Sequence, residues 1–137
     1  MKGGSGKSCL AQNLAVYFAR DKKAIVLMSG GMDSLCVLAI AKDLGYTPIL
    51  LHIEYGQKTR KREQKAFDDI ARFYDIPKDH QKHIHAAFLG QLGGSSLTDQ
   101  DIPVSKSGVQ DNVIPSSYVP FRNTHLIATA VSWAEVN

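Results

Sequence analysis

The sequence alternates short apolar runs with segments in which apolar residues recur every three or four positions. The runs lie at residues 24–28 and 48–53, and a weaker one lies at residues 82–85. Each run is typical of a strand that is buried on both faces of a parallel sheet. Segments with helical spacing follow the first two runs, at residues 35–44 and 58–74, and Gly45 is predicted to end the first helix. This order predicts an α/β fold with a parallel sheet.

Length and composition exclude several classes of protein. The chain has 137 residues, which fits one domain, and its net charge of +3 is too small to indicate nucleic-acid binding. Its two cysteines, Cys9 and Cys36, can form neither a disulfide scaffold nor a structural zinc site within this chain. No apolar run approaches the roughly 18 residues of a membrane span, and no signal peptide is apparent. We therefore expect a cytoplasmic protein without a membrane partner.

The remaining parts of the chain have different patterns. Residues 7–20 have apolar positions at helical spacing, which predicts an amphipathic helix. Residues 90–120 are rich in Gly, Ser, Asp and Pro and show no periodicity, which is typical of a functional or a disordered loop. Residues 122–136 predict a last, apolar-rich helix.

A glycine-rich segment, SGGMDS at residues 29–34, links the first strand to its helix. Adjacent glycines let the backbone approach an anion closely, and the N–H groups of the following helix point at that anion. Ser29 and Ser34 add hydroxyl donors, and Asp33 is predicted to cap the helix and to orient a magnesium ion or a loop amide. The same residue types also form ordinary turns. The segment is therefore either a phosphate site or a simple strand–helix turn.

A second glycine-rich segment, KGGSGKS at residues 2–8, resembles the deviant Walker A loop of ParA/MinD-type ATPases over about the first 20 residues. In such a loop Lys7 reaches the β- and γ-phosphate oxygens and Ser8 binds magnesium. The loop also needs a preceding strand, for which Met1 leaves no room. The alternative is a helix with a frayed Gly/Ser start. The sequence thus predicts a Walker A-like helical segment at residues 1–21.

Three further motifs follow SGGMDS in order: EYGQ at residues 54–57, LGGSSLT at 92–98 and YVPFRN at 118–123. With this set, the chain from Lys23 onward resembles the 7-cyano-7-deazaguanine synthases, the QueC family of PP-loop ATP pyrophosphatases. The resemblance implies a three-layer, mostly parallel, Rossmann-like sheet of the adenine nucleotide alpha hydrolase-like type. It also assigns residues 22–137 to a PP-loop ATP-binding domain.

The resemblance implies a reaction in two rounds. ATP with Mg²⁺ activates the carboxylate of 7-carboxy-7-deazaguanine as an acyl adenylate, and ammonia displaces AMP to give an amide. A second activation dehydrates that amide to the nitrile, in queuosine precursor biosynthesis. The implied small-molecule ligands are therefore a deazapurine substrate, ATP and ammonia.

Site residues follow from the matched motifs. The ATP-binding group is predicted to be Met28, Ser29, Gly30, Gly31, Met32, Asp33, Ser34, Leu35 and Cys36. The predicted catalytic residues are Asp33, Ser34 and Arg122, with Arg122 as a clamp on phosphate or on the substrate carboxylate. Tyr55, Gln57 and Asn123 are predicted either to contact the purine-like base or to shape its pocket.

Simpler interpretations stand beside these assignments. Arg122 and Asn123 would merely open the last helix, with Asn123 as its cap, and Tyr55 would begin a plain turn after its strand. Cys36 would pack against the sheet as a small buried hydrophobe. His80, His83 and His85 favour no metal geometry and are interpreted as ordinary histidines.

The sequence also departs from the family pattern. Family members begin close to their first strand and continue past the last helix with further strands, a substrate-binding segment and a four-cysteine zinc site. This chain ends at Asn137 and has none of those cysteines. We therefore expect an ATP-binding domain that is incomplete at its C-terminus, with an uncovered edge that favours a homodimer.

Three alternatives remain open at this point. One is another adenylating ATP pyrophosphatase, against which the LGGSSLT and YVPFRN motifs argue. Another is a ParA-like P-loop ATPase in which Lys7, rather than Asp33, controls nucleotide affinity. The last is a non-catalytic nucleotide-binding or assembly module.

Overall fold

A computed structural model describes residues 22–99, 101–102 and 116–136 in full, and residues 15–18 by their backbone. Its strands are β1 (Ala15–Phe18), β2 (Lys23–Leu27), β3 (Thr47–Glu54) and β4 (Gln81–His85). Its α-helices are α1 (Met32–Asp43), α2 (Arg60–Phe73), α3 (Ala87–Gln91) and α4 (Arg122–Ala134), and a 3₁₀ turn spans Lys78–His80. Among these helices none is long and apolar enough to cross a lipid bilayer.

The strands form one sheet in the order β1-β2-β3-β4. Strands β2, β3 and β4 are parallel, with Ile25 opposite Ile49 and His52 opposite His83. Strand β1 pairs antiparallel with β2. The parallel strands therefore end at one common edge of the sheet, which is where α/β proteins bind ligands.

Two apolar clusters cover the two faces of the sheet. One cluster joins Ala24 and Val26 of β2 to residues of α1 and α2, including Leu38 and Phe67. The other cluster joins strand residues such as Ile25 to Leu89 of α3 and Ala130 of α4, among others. Because neighbouring strand residues point to opposite faces, both faces of β2 are buried. The described residues thus confirm the predicted three-layer α/β arrangement around a mostly parallel sheet.

The predicted helix at residues 7–20 is wrong where the structure describes it. Ala15–Phe18 is a strand that runs antiparallel to β2, with Ala15 opposite Val26. Valine, tyrosine and phenylalanine all favour strands, and the edge of β2 offers backbone groups that need partners. The rest of that predicted helix and the KGGSGKS segment lie outside the described residues.

The expected burial of Cys36 is also wrong, because its side chain is exposed. The face of α1 that packs on the sheet is formed by Ser34, Leu38 and Ala41. Cys36 is two residues from Ser34, which places it about 200° around the helix, on the outer side. Gly45, with a φ of +79°, follows the last turn of α1 as predicted.

Candidate functional site

A cleft of about 340 Å³ lies at the carboxyl edge of β2 and β3. It is bordered by the loop after β2, the end of β3 and the first turns of α2 and α4. The predicted site residues that line it are Met28, Ser29, Asp33, Tyr55, Gln57, Arg122 and Asn123. Leu97 of the LGGSSLT motif lines it as well, so the structure brings together residues from all four sequence motifs. The other predicted ATP-binding residues do not line this cleft; they are Gly30, Gly31, Met32, Ser34, Leu35 and Cys36.

Hydroxyl groups hold the loop at residues 29–34 in shape. Ser34 is fully buried, and its hydroxyl donates a 2.8 Å hydrogen bond to the carbonyl of Gly31. The hydroxyls of Ser29 and Ser34 are 3.3 Å apart, and the Gly31 N–H donates to Ser29 Oγ over 3.4 Å. The hydroxyl of Ser34 thus stabilises the loop from inside, whereas Ser29 lies at the cleft.

The start of α1 is suited to bind an anion. The first N–H groups of a helix have no acceptor within it, and the helix dipole favours negative charge there. Asp33 lies in the first turn and lines the cleft. The prediction that Asp33 caps the helix is wrong, because the N-cap residue is Gly31, with extended backbone angles.

Gly30 is required by the approach of α2 to the loop. Its φ is +78°, and a Cβ atom there would lie 2.7 Å from the Cβ of Ala66 and 3.0 Å from the carbonyl oxygen of Glu63. Gly31 has no such neighbour, since a Cβ would meet only Ser29 Oγ at 3.5 Å. Of the two adjacent glycines, Gly30 is therefore the one whose missing side chain lets α2 pack against the loop.

A hydrogen-bonded network fixes the segment after β3. The Tyr55 N–H donates to Gln57 Oε1 over 2.8 Å, and Gln57 Nε2 donates to Glu63 Oε2 over 2.9 Å. The Thr59 hydroxyl donates to the other oxygen of the Glu63 carboxylate. Gln57 is buried, and its amide holds the loop. Glu63 also lines the cleft, and the sequence alone did not indicate it as a site residue.

Arg122 is oriented by its neighbours. Its Nη1 donates to the Tyr55 hydroxyl over 3.3 Å, and its Nε donates to Asn123 Oδ1 over 3.2 Å. The guanidinium carbon is 5.8 Å from the centroid of the Tyr55 ring. A planar guanidinium held in this way can bind a carboxylate or a phosphate in a forked geometry. Helix α4 does begin at Arg122, but its N-cap is Phe121, so the alternative with Asn123 as the cap is wrong.

His52 is a further residue of the cleft that the sequence did not reveal. It is buried in β3, and its Nδ1 is 2.8 Å from the carbonyl oxygen of Met28. Because a carbonyl only accepts, Nδ1 bears the proton. The Met28 N–H in turn donates to the Leu51 carbonyl over 2.8 Å. Both backbone groups of the residue before the loop are thus tied to β3.

The ring of His83 packs beside that of His52, with centroids 5.5 Å apart, and its centroid is 4.4 Å from that of Phe67. Burial lowers the pKa of His83 below its ordinary value of 6.5, and His52 lowers it further. Lys78 and His85 act in the same direction, while Asp68 opposes them. His83 therefore favours its neutral form in the folded chain.

This lowered pKa predicts that the chain loses stability in mild acid. The unfolded state takes up the proton on His83 more readily, so the free energy of unfolding falls as pH drops through and below 6.5. We expect urea unfolding midpoints at pH 5.5 to be lower than at pH 7.5, with a smaller difference in His83→Gln. His80→Gln is the control, and an equal reduction of the difference in both variants would contradict this assignment.

The comparisons with known proteins agree with these motifs. A family model described as "Queuosine biosynthesis protein QueC" matches residues 23–137. The 7-cyano-7-deazaguanine synthase of Chlorobium chlorochromatii (strain CaD3) is 50% identical over 114 residues, which are 83% of this chain and 49% of that protein. The synthase of Chloroherpeton thalassium is 51% identical over 114 residues, with 83% and 50% covered. The chain spans about half the length of these curated relatives. No solved structure matches it.

Proposed function

The chain belongs to the QueC family of queuosine biosynthesis proteins, and we propose that it is the ATP-binding part of a 7-cyano-7-deazaguanine synthase. The observation that supports this proposal is a single cleft that joins the loop at residues 29–34, the Tyr55–Gln57 turn and Arg122. An adenylating enzyme needs an anion site for pyrophosphate next to a cation that orients the reacting carboxylate. The start of α1 is our candidate for the anion site, and the guanidinium of Arg122 is our candidate for the cation.

We assign the phosphate chain of ATP to the loop and the first turn of α1. The backbone N–H groups at the start of α1 and the hydroxyl of Ser29 are the donors for the β- and γ-phosphates. Their role is to stabilise the negative charge that pyrophosphate gains as it leaves. The internal hydrogen bonds of Ser34 and the contact of Gly30 with α2 keep these donors in place before ATP binds.

The acidic residues of the cleft fit a magnesium ion that arrives with ATP. Asp33 and Glu63 both line it, and Mg²⁺ prefers one or two carboxylates together with phosphate oxygens and water. Among the described residues no group of three His, Cys, Asp or Glu side chains is close enough to hold a metal alone. When bound, Mg²⁺ would neutralise phosphate charge, and Asp33 would be its first protein ligand.

Arg122 is proposed to hold the substrate carboxylate against the α-phosphate of ATP. A carboxylate oxygen attacks the α-phosphorus, pyrophosphate leaves, and an acyl adenylate forms. Ammonia then attacks the acyl carbon, and AMP leaves to give the amide. In the second round the amide oxygen attacks the α-phosphorus of another ATP, and pyrophosphate leaves. Loss of AMP and of the two protons on the nitrogen then gives the nitrile. In both rounds Tyr55 and Asn123 fix the orientation of Arg122.

The proposal also covers the N-terminal segment, the assembly and the substrates. Residues 1–21 are proposed as a Walker A-like segment, of which Ala15–Phe18 joins the sheet as β1, and a homodimer is the proposed assembly. The substrates are ATP, a deazapurine carboxylate and ammonia. All three are proposed for a complete synthase, to which this chain would contribute the nucleotide site.

Binding of magnesium-ATP, measured by calorimetry, tests the proposal. We expect Asp33→Ala to weaken binding about tenfold or more, because one charged oxygen ligand is worth at least about 1.4 kcal/mol. Asp43→Ala, at the other end of α1, is the matched control and should leave binding unchanged. Incubation with substrate should release AMP and pyrophosphate rather than ADP.

Two outcomes would contradict it. Loss of binding in Lys7→Ala, with none in Asp33→Ala, would favour the ParA-like interpretation. A chain that binds no nucleotide at all would show that residues 22–137 keep the motifs of the family without its nucleotide site.

A further inference from the structure

A second pocket adjoins the cleft at the start of α4. Its volume is about 320 Å³, and its lining includes Tyr118, Phe121, Arg122 and Asn123. Arg122 and Asn123 also line the first cleft. The guanidinium of Arg122 therefore lies between two spaces, one beside the phosphate loop and the other beside two aromatic residues.

Phe121 is placed in this pocket at a cost to folding. Its side chain is 70% exposed, and its backbone is left-handed, with a φ of +51°. Bulky residues rarely adopt that conformation, and an exposed phenylalanine gains little from burial. The Phe121 N–H donates to the Tyr118 hydroxyl over 3.3 Å, which holds the strained turn.

Val119 anchors the segment at residues 118–121, while the rings of Tyr118 and Phe121 remain at the surface. Val119 lies between them in sequence and is buried in the cluster that contains Ala130 of α4. Tyr118 remains about half exposed. The chain thus uses Val119 for packing and leaves Tyr118 and Phe121 beside the pocket, although burying an aromatic ring is what the hydrophobic effect favours.

We propose that Tyr118 and Phe121 form the subsite for the planar base of the substrate. This inference rests on the proposed function and adds to it the position of the second ligand. Aromatic side chains stack on the faces of planar heterocycles, and a pocket of this volume is in the range of small-molecule sites. With the base beside Phe121 and ATP beside Ser29, the substrate carboxylate and the α-phosphate meet at Arg122.

The test compares the two ligands on the same variants by calorimetry. Phe121→Gly removes the ring and also relieves the left-handed backbone, so the fold should persist. We expect it to weaken binding of 7-carboxy-7-deazaguanine about 5- to 100-fold, while magnesium-ATP binding changes less than about twofold. Phe121→Tyr should retain both affinities. Phe73→Ala, at a similarly exposed phenylalanine that ends α2, is the matched control for removal of a surface ring and should also retain both.

Three results would contradict the proposed subsite. Unchanged deazaguanine binding in Phe121→Gly, or an equal loss of both ligands, overturns the subsite. Absence of deazaguanine binding in the unaltered chain overturns it as well. In each case the magnesium-ATP affinity of the unaltered chain shows separately whether the proposed function still stands.

Discussion

Replacing Gly30 with alanine is expected to destabilise the chain by about 2–4 kcal/mol, from left-handed strain and overpacking together. The added methyl carbon would lie 2.7 Å from Ala66 Cβ and 3.0 Å from a backbone oxygen of α2, and it would sit on a residue with a φ of +78°. Neither neighbour is the flexible end of a long side chain, so the loop or the helix must move. Urea unfolding measures the loss. Because the loop is the proposed phosphate site, magnesium-ATP binding should be lost as well.

Gly31→Ala is the matched control for this prediction. Gly31 has a φ of −86° in the extended region, and a Cβ there meets Ser29 Oγ at an ordinary 3.5 Å. We expect a change within about 1 kcal/mol, since alanine is a poorer N-cap than glycine. If both variants lost the same stability, the close packing of α2 on Gly30 would not be the reason for the glycine.

The three parallel strands and most helices could be predicted because their signals are local. The β2 and β3 segments are apolar at consecutive positions, and the structure explains this by helices on both faces of the sheet. The helix at residues 7–20 was also predicted from a local pattern, namely apolar residues at helical spacing. That prediction failed at Ala15–Phe18, because the choice between helix and strand there depends on pairing with β2. The spacing of apolar residues does not reveal such a contact.

The orientation of α1 could not be predicted for a related reason. Leu35, Val37 and Ile40 are apolar like Leu38 and Ala41, so the sequence offers no clear inner face. The sheet selects the face with Ser34, and Cys36 is left outside. Serine at a fully buried position is itself informative, because it needs a hydrogen-bond partner, which is the Gly31 carbonyl.

Within the candidate site, the motifs located the loop, Tyr55 and Arg122, but not the residues that hold them. His52 lies in an apolar strand, and its partner is a backbone carbonyl that depends on how β2 and β3 align. Glu63 lies on a helix rich in charged residues, where one more carboxylate is unremarkable. Their roles arise from contacts between elements, which a single sequence does not record.

Phe67→Ala is expected to produce the largest loss of stability, about 3–5 kcal/mol, because it leaves a large cavity in the core. Phe67 is fully buried between α2 and the sheet, and its ring centroid lies 4.4 Å from that of His83 and 5.8 Å from that of His52. Phe73→Ala, in the same helix and 79% exposed, is the control and should change stability by less than about 0.5 kcal/mol. Urea unfolding at pH 7.5 measures both.

A smaller change at the same position tests whether nucleotide binding depends on the packing of the core. Phe67→Leu keeps an apolar side chain under His52 and should cost less than Phe67→Ala, because less of the packing is lost. Since His52 bonds to the Met28 carbonyl and not to Phe67, the loop should keep its shape in the folded fraction. We therefore expect Phe67→Leu to bind magnesium-ATP like the unaltered chain at a temperature where it is folded, whereas Gly30→Ala should not. Loss of binding in folded Phe67→Leu would mean that the loop depends on the core packing beneath it, and not only on its own hydrogen bonds and its contact with α2.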